Sequence, residues 1–128
     1  MVANVLDRFE FRSVRANEAE EIAEIEKICF PPHEACSKKD MFERVEHAPE
    51  LFLVAVDKET GTIAGFLNGL ATDEEAFRDE FFTDITVHNP EGKNIFLLGL
   101  DVRPEYRRQG LAREIMNQYV KREQAKGR

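Results

Sequence analysis

The sequence predicts a mixed α+β fold in a single domain spanning 1–128. Two apolar runs of strand length, Leu51–Val56 and Ile95–Val102, stand among segments whose apolar residues recur at helical spacing. Turn-forming residues divide the rest into a series of strand, helix, helix, strand, strand, short helix, strand, helix. An apolar fraction of 42% over 128 residues is enough for one core.

Residues 9–14 begin with apolar and polar side chains in alternation, so they read as a strand. Asn17 followed by Glu20 resembles a capping box, and Ala19, Ile22, Ile25 and Ile28 keep one face apolar, which predicts a helix over 17–29. Cys29 is expected on its buried side. Pro31 and Pro32 end it, because proline lacks a backbone donor and restricts the residue before it. Ser37 and Asp40 start a second helix with Met41, Phe42 and Val45 inward, and Pro49 closes it. Residues 51–56 and 62–70 form two strands joined by a turn at 57–61. Thr72 and Glu75 mark a short acidic helix near 73–82, before a polar loop through His88. The run 95–102, apolar on both sides, predicts a strand in the middle of the sheet, with a bulge at Gly99. A last helix over 110–124 turns Leu111, Ile115, Tyr119 and Val120 inward and ends at Gly127 as a C′ residue.

Net charge is −7, which argues against general nucleic-acid binding. No apolar run approaches the roughly 20 residues that cross a bilayer, and no signal peptide is evident, so the expectation is a cytoplasmic protein. Two cysteines seven positions apart, with no histidines at ligand spacing, predict neither a metal site nor a disulfide. The charge is uneven: residues 101–128 hold eight Lys and Arg against four Asp and Glu. A basic quarter on an acidic chain points to a local anion site, and the acidic remainder would attract a cationic substrate.

The segment Leu98–Arg113 localises that anion site. A strand ends, a short turn follows, and a helix begins at Gly110. A helix start offers backbone N–H groups without partners and a partial positive charge, and glycine lets an anion approach closely. Arg107, Arg108 and Arg113 add formal charge, so the spacing describes a phosphate or diphosphate pocket.

Arg107, Gly110 and Ala112 match the R/Q-x-x-G-x-G/A signature, and Leu100-Asp101-Val102-Arg103-Pro104 resembles the strand end before it; on these residues the chain resembles the GNAT superfamily of N-acetyltransferases. The resemblance implies a central, mostly antiparallel sheet flanked by helices. It implies acetyl-CoA as co-substrate, its pyrophosphate on the amides of Arg108, Gln109, Gly110, Leu111, Ala112 and Arg113, and its pantetheine arm along Leu100, Asp101 and Val102. Phe30-Pro31-Pro32-His33 and Pro49-Glu50-Leu51 further resemble arylalkylamine N-acetyltransferases, which implies an amine pocket shaped by Phe30, Pro31 and His33. It also implies that the chain stops before the last strands of the family fold, where a tyrosine normally protonates the leaving thiolate; neither Tyr106 nor Tyr119 matches it.

The reaction so implied is attack of a primary amine, a small arylalkylamine, on the thioester, with the oxyanion held by an amide near Leu100. The histidine pair of the vertebrate-type arylalkylamine enzymes corresponds to Phe96 and Leu98, which cannot titrate. His33, Glu34 and His88 are the alternatives for a base, His47 reads as a surface residue, and the catalytic group stays unassigned. The competing readings are a CoA-binding module without turnover, and an assembly domain whose open sheet edge pairs with a second copy or exchanges strands.

Overall fold

A computed structural model describes residues 5–33, 35–74 and 88–127. Four strands, β1 (Phe9–Arg12), β2 (Phe52–Asp57), β3 (Ile63–Thr72) and β4 (Asn94–Val102), form one sheet in the order β1-β2-β3-β4, every neighbouring pair antiparallel. Helices α1 (Ala19–Cys29) and α2 (Lys38–His47) cover one face, and α3 (Leu111–Ala125) covers the other.

Covering both faces explains why β2 and β3 are buried at every position. Val54 and Phe66 point to the α1–α2 side with Ile22, Ile25 and Met41. Leu53 and Leu67 point to the α3 side with Leu111, Ile115 and Tyr119. Gly69 faces α3 because a Cβ there would lie 2.5 Å from the Tyr119 hydroxyl, which donates to the Leu51 carbonyl at 2.9 Å. The hydroxyl thus occupies the volume that the glycine leaves.

Several local signals held and others moved. Ser37 Oγ accepts from the Asp40 amide at 3.1 Å, the expected start of α2. The start of the first helix lies elsewhere: Glu18 Oε1 accepts from the Arg15 amide at 2.8 Å, residues Ala16–Glu18 form a 3-10 turn, and Asn17 is not the cap. Ile28, Phe42 and Val120, expected inside, are 46%, 38% and 42% exposed. Glu26 is buried on α1 instead, and the Lys38 ammonium lies over the Phe42 ring at 5.6 Å. Cys29 is half-buried, with its thiol on the Val102 carbonyl at 3.3 Å.

The largest correction concerns β4. It lies at the edge of the four described strands, its residues 94–100 half-buried or exposed. Two-sided apolarity reported that both faces meet other groups; it carried no information about which strand has a second neighbour. The expected short helix near 73–82 falls largely outside the described residues. Gly127 is left-handed (φ 90°), and its amide donates to the Gln124 carbonyl, as a C′ residue does.

Candidate functional site

β4 ends at Val102, and Pro104 opens a 3-10 turn over Pro104–Tyr106. This turn is pinned from below. Tyr106 Oη donates to Asp57 Oδ2 at 2.7 Å, and Asp57 also pairs with Arg8. Arg103 Nε donates to the Ile63 carbonyl at 2.8 Å, and Arg107 Nε to the Val102 carbonyl at 3.1 Å. Two of the four arginines in the segment therefore hold the loop, while Arg108 and Arg113 are exposed beside it.

The loop then curls into α3 through left-handed residues, Arg108 at φ 66° and Gly110 at φ 80°. Gly110 is the N-cap of α3 and brings no side-chain cap to the helix amides. No heavy atom outside its neighbours stands within 4 Å of where its Cβ would be. A concavity of about 120 Å³ opens there among Val102, Arg107, Arg108, Gly110, Ala112 and Arg113. The helix start with its dipole and the exposed Arg108 and Arg113 thus border one open spot, which is a setting for a diphosphate. The residues read from the sequence as a phosphate cradle, Arg108 to Arg113, are together here, with Leu100, Asp101 and Val102 on the strand that leads into it.

A bulge interrupts β4 next to this loop. Asn68 pairs with Gly99 but Gly69 with Leu97, so Leu98 has no counterpart on β3. The irregularity lies one residue before Gly99, where it was expected, and Leu100 is paired with Leu67.

On the α1–α2 side of that bulge lies a polar group that the sequence reading missed. Asn68 and Asp101 are each 1% exposed and Glu26 is 7% exposed. Neither amide atom of Asn68 and neither oxygen of Asp101 has a hydrogen-bond donor or acceptor of the ordinary kind among the described residues. Glu26 Oε2 accepts from the Cys36 amide at 2.8 Å. Burial, then the adjacent Glu26 carboxyl, push the Asp101 carboxyl far above the ordinary carboxylate range. The signal was present in the sequence: Asn68 interrupts a buried strand, and Glu26 follows Ile22 by one helical turn on the apolar face.

The other candidates fall elsewhere. The His88 side chain is 3% exposed; its Nδ1 accepts from the Ala71 amide at 3.1 Å, so Nε2 carries the proton to Glu50 Oε1 at 2.9 Å. With both nitrogens engaged it braces the Pro49–Leu51 turn against β3 and has no nitrogen for a substrate. Pro31, His33 and His47 are exposed and Phe30 is half-buried; Glu34 lies outside the described residues. Burial pushes the Cys36 thiol up to about 11, and burial with the nearby Asp101 raises Cys29, so neither supplies a thiolate nucleophile at neutral pH. Among the described residues no group of three or more His, Cys, Asp or Glu is placed to hold a metal ion, and no helix is long and apolar enough to cross a membrane.

Residues 19–128 match the acetyltransferase (GNAT) family, and the chain belongs to that family. Its sequence is 31% identical over 114 residues to the probable hydrolase YhcX of Bacillus subtilis (strain 168), covering 80% of this chain and 22% of that protein. The fold is similar to the loading GNATL domain of CurA from Lyngbya majuscula, with a TM-score of 0.77 at 14% identity over 88% of this chain and 57% of that one. It is also similar to the diaminobutyrate acetyltransferase EctA from Paenibacillus lautus in complex with L-2,4-diaminobutyric acid and coenzyme A, with a TM-score of 0.61 at 16% identity over 88% of this chain and 56% of that one. The chain thus spans little more than half the length of these structures, and about a fifth of the curated relative.

Proposed function

We propose that this chain binds acetyl-CoA on the turn before α3 and along the end of β4, and transfers the acetyl group to a primary amine. The observation that carries this reading is Gly110: a left-handed N-cap without a side-chain cap, facing open space between exposed arginines. The helix amides from Leu111 onward receive the diphosphate, and Arg108 and Arg113 offset its charge. Gln109 Oε1 is buried without a partner among the described residues.

The amine attacks the thioester beside the β4 bulge, where Leu98 is out of register with β3 and its backbone is available to the oxyanion. Small arylalkylamines are the acceptors we assign, with Phe30, Pro31 and His33 as the outer wall; the resemblance of the 30–33 and 49–51 segments supports this class. The substrate named for the EctA structure carries primary amines, which supports the broader class. Cytoplasmic location fits an acetyl-CoA-dependent reaction.

Thiol release from acetyl-CoA with tryptamine as acceptor tests the reading. Amine-dependent release supports it, and release that ignores the amine contradicts it. One observation favours a second reading, assembly through the sheet edge. β4 has no outer neighbour among the described strands, and exposed Leu97 and Val120 border an open groove of about 690 Å³ between β4 and α3. Concentration-dependent sedimentation of the chain would show a second copy pairing there.

A further inference from the structure

Just after Tyr106 the chain turns through left-handed angles, and one of the residues that does so is not glycine: Arg108 stands at φ 66°. A residue with a Cβ is disfavoured there, so the conformation persists only where its surroundings hold it. Arg107 Nε on the Val102 carbonyl is one such hold. The other comes through Tyr106, whose own partners are distant in sequence.

Tyr106 is engaged from several sides. Its hydroxyl donates to Asp57 Oδ2 at 2.7 Å, at the end of β2. Phe9 of β1 meets its ring edge-on, with centroids 5.7 Å apart. The Arg8 guanidinium lies 5.6 Å from the ring centroid and also pairs with Asp57. Thr60, on the turn after β2, also meets the hydroxyl. Asp57 is buried and accepts from the Glu59 amide at 2.9 Å as well, so Arg8, Tyr106 and Glu59 all donate to one carboxylate. Arg8, then the Tyr106 hydroxyl, hold that carboxyl below the usual carboxylate range despite burial, so at neutral pH it only accepts and the tyrosine donates.

A buried ion pair is a weak source of stability, because both charges leave water to form it. Its geometry is the distinguishing property. A charge-assisted O–H···O⁻ bond is short and directional, and it fixes the hydroxyl where apolar packing would let the ring slide. Tyr106 borders the concavity at Gly110, while Arg8 and Asp57 do not line it.

We propose that Arg8 and Asp57 are positioning residues for coenzyme A, holding the loop before α3 through the Tyr106 hydroxyl in the shape that receives the diphosphate. The assignment rests on the acetyl-CoA reading above. It gives the 3-10 turn Val5–Arg8, far in sequence from the loop, a part in cofactor affinity. Releasing the tether lets Tyr106 shift and Arg108 relax from its left-handed angle. The amides beyond it then leave the binding geometry, and a ligand must restore them at the expense of affinity. A ligand without the diphosphate does not need them.

Amide hydrogen exchange in the free protein, with calorimetric titration of the full chain by CoA and by pantetheine, tests this. Tyr106→Phe removes one oxygen and keeps the ring. The amides of residues 106 and 107, which donate to the Arg103 and Pro104 carbonyls, should exchange at least about threefold faster in that variant. Its CoA affinity should fall about three- to tenfold, as for one lost hydrogen bond, and its pantetheine affinity should stay within about twofold. Arg8→Gln should weaken CoA binding by a similar factor. The double variant should bind CoA no more than about twofold less tightly than Tyr106→Phe alone, because both changes act on one link. His88→Phe, which destabilises the fold away from the tether, should keep wild-type CoA affinity. Wild-type exchange or wild-type CoA affinity in Tyr106→Phe overturns the proposal. So do additive losses in the double variant, equal losses for CoA and pantetheine, or a matching loss in His88→Phe. A wild-type chain that folds and binds no CoA overturns the acetyl-CoA reading itself and this proposal with it, so the wild type tells the two failures apart.

Discussion

Replacing Gly110 by Glu separates a cofactor cradle from an ordinary helix start. Gly110 sits at φ 80°, ψ 10°, where a residue with a Cβ is strained by about 1–2 kcal/mol. Nothing within 4 Å would meet the new Cβ, so strain is the main cost to the free protein. A carboxylate at a helix N-terminus recovers about 0.3–1 kcal/mol of that. In the complex the same carboxylate faces a diphosphate. At a separation of about 5 Å, one pair of charges repels by about 1 kcal/mol in water and about 3 kcal/mol at an effective dielectric of 20. CoA affinity should therefore fall by roughly 5- to 150-fold. Gly127→Glu is the control: it is also left-handed with open space at its Cβ, and it lies beyond the far end of α3, about 22 Å from the cradle. Thermal denaturation should show comparable losses for the two variants, and calorimetric titration with CoA should show the affinity loss in Gly110→Glu alone. Wild-type affinity in Gly110→Glu, or equal losses in both variants, would refute the reasoning.

His88→Phe should destabilise the fold by about 1–3 kcal/mol in urea unfolding, because the buried Ala71 amide loses its acceptor; unaltered stability would restore His88 as a candidate for chemistry. Gly69→Ala places a methyl 2.5 Å from the Tyr119 hydroxyl and should cost about 1–3 kcal/mol, part of which Tyr119→Phe should return; strict additivity of the two would contradict the shared volume. Arg8, then the Tyr106 hydroxyl, hold the Asp57 carboxyl below the usual carboxylate range despite burial. Its folded pKa is lower than its unfolded value near ~3.9, so its contribution is complete above that pH and is lost as pH falls below it. The melting temperature should therefore fall less steeply on acidification in Asp57→Asn than in the wild type, and identical slopes would contradict the pairing.

What was legible in the sequence was local. The start of α2 at Ser37, the turn after Asp57 and the left-handed start of α3 at Gly110 depend on residues within four positions of one another, and each appeared where side-chain chemistry placed it. The candidate phosphate loop belongs to the same class, since strand end, arginines and glycine are contiguous. What was not legible depends on partners distant in sequence. Glu26, Asn68 and Asp101 meet only when α1 packs on the sheet, and no spacing rule links positions 26, 68 and 101. His88 looked like a base because imidazole titrates near neutrality, but its ring is held by Ala71 and Glu50, which only the fold brings to it. Helical periodicity located the inward faces of α1 and α3 without showing where cover ends, so Ile28 and Val120 lie at the margins.

In the proposed complex the main-chain amides at the start of α3 grip a diphosphate. Backbone NMR of the ¹⁵N-labelled chain titrated with CoA, and in parallel with pantetheine, tests it most directly. Large amide shifts are expected across Arg108 to Arg113 with CoA and small ones there with pantetheine, which lacks the phosphates. Saturable CoA binding that leaves those six amides unmoved, or moves them equally with pantetheine, would contradict it.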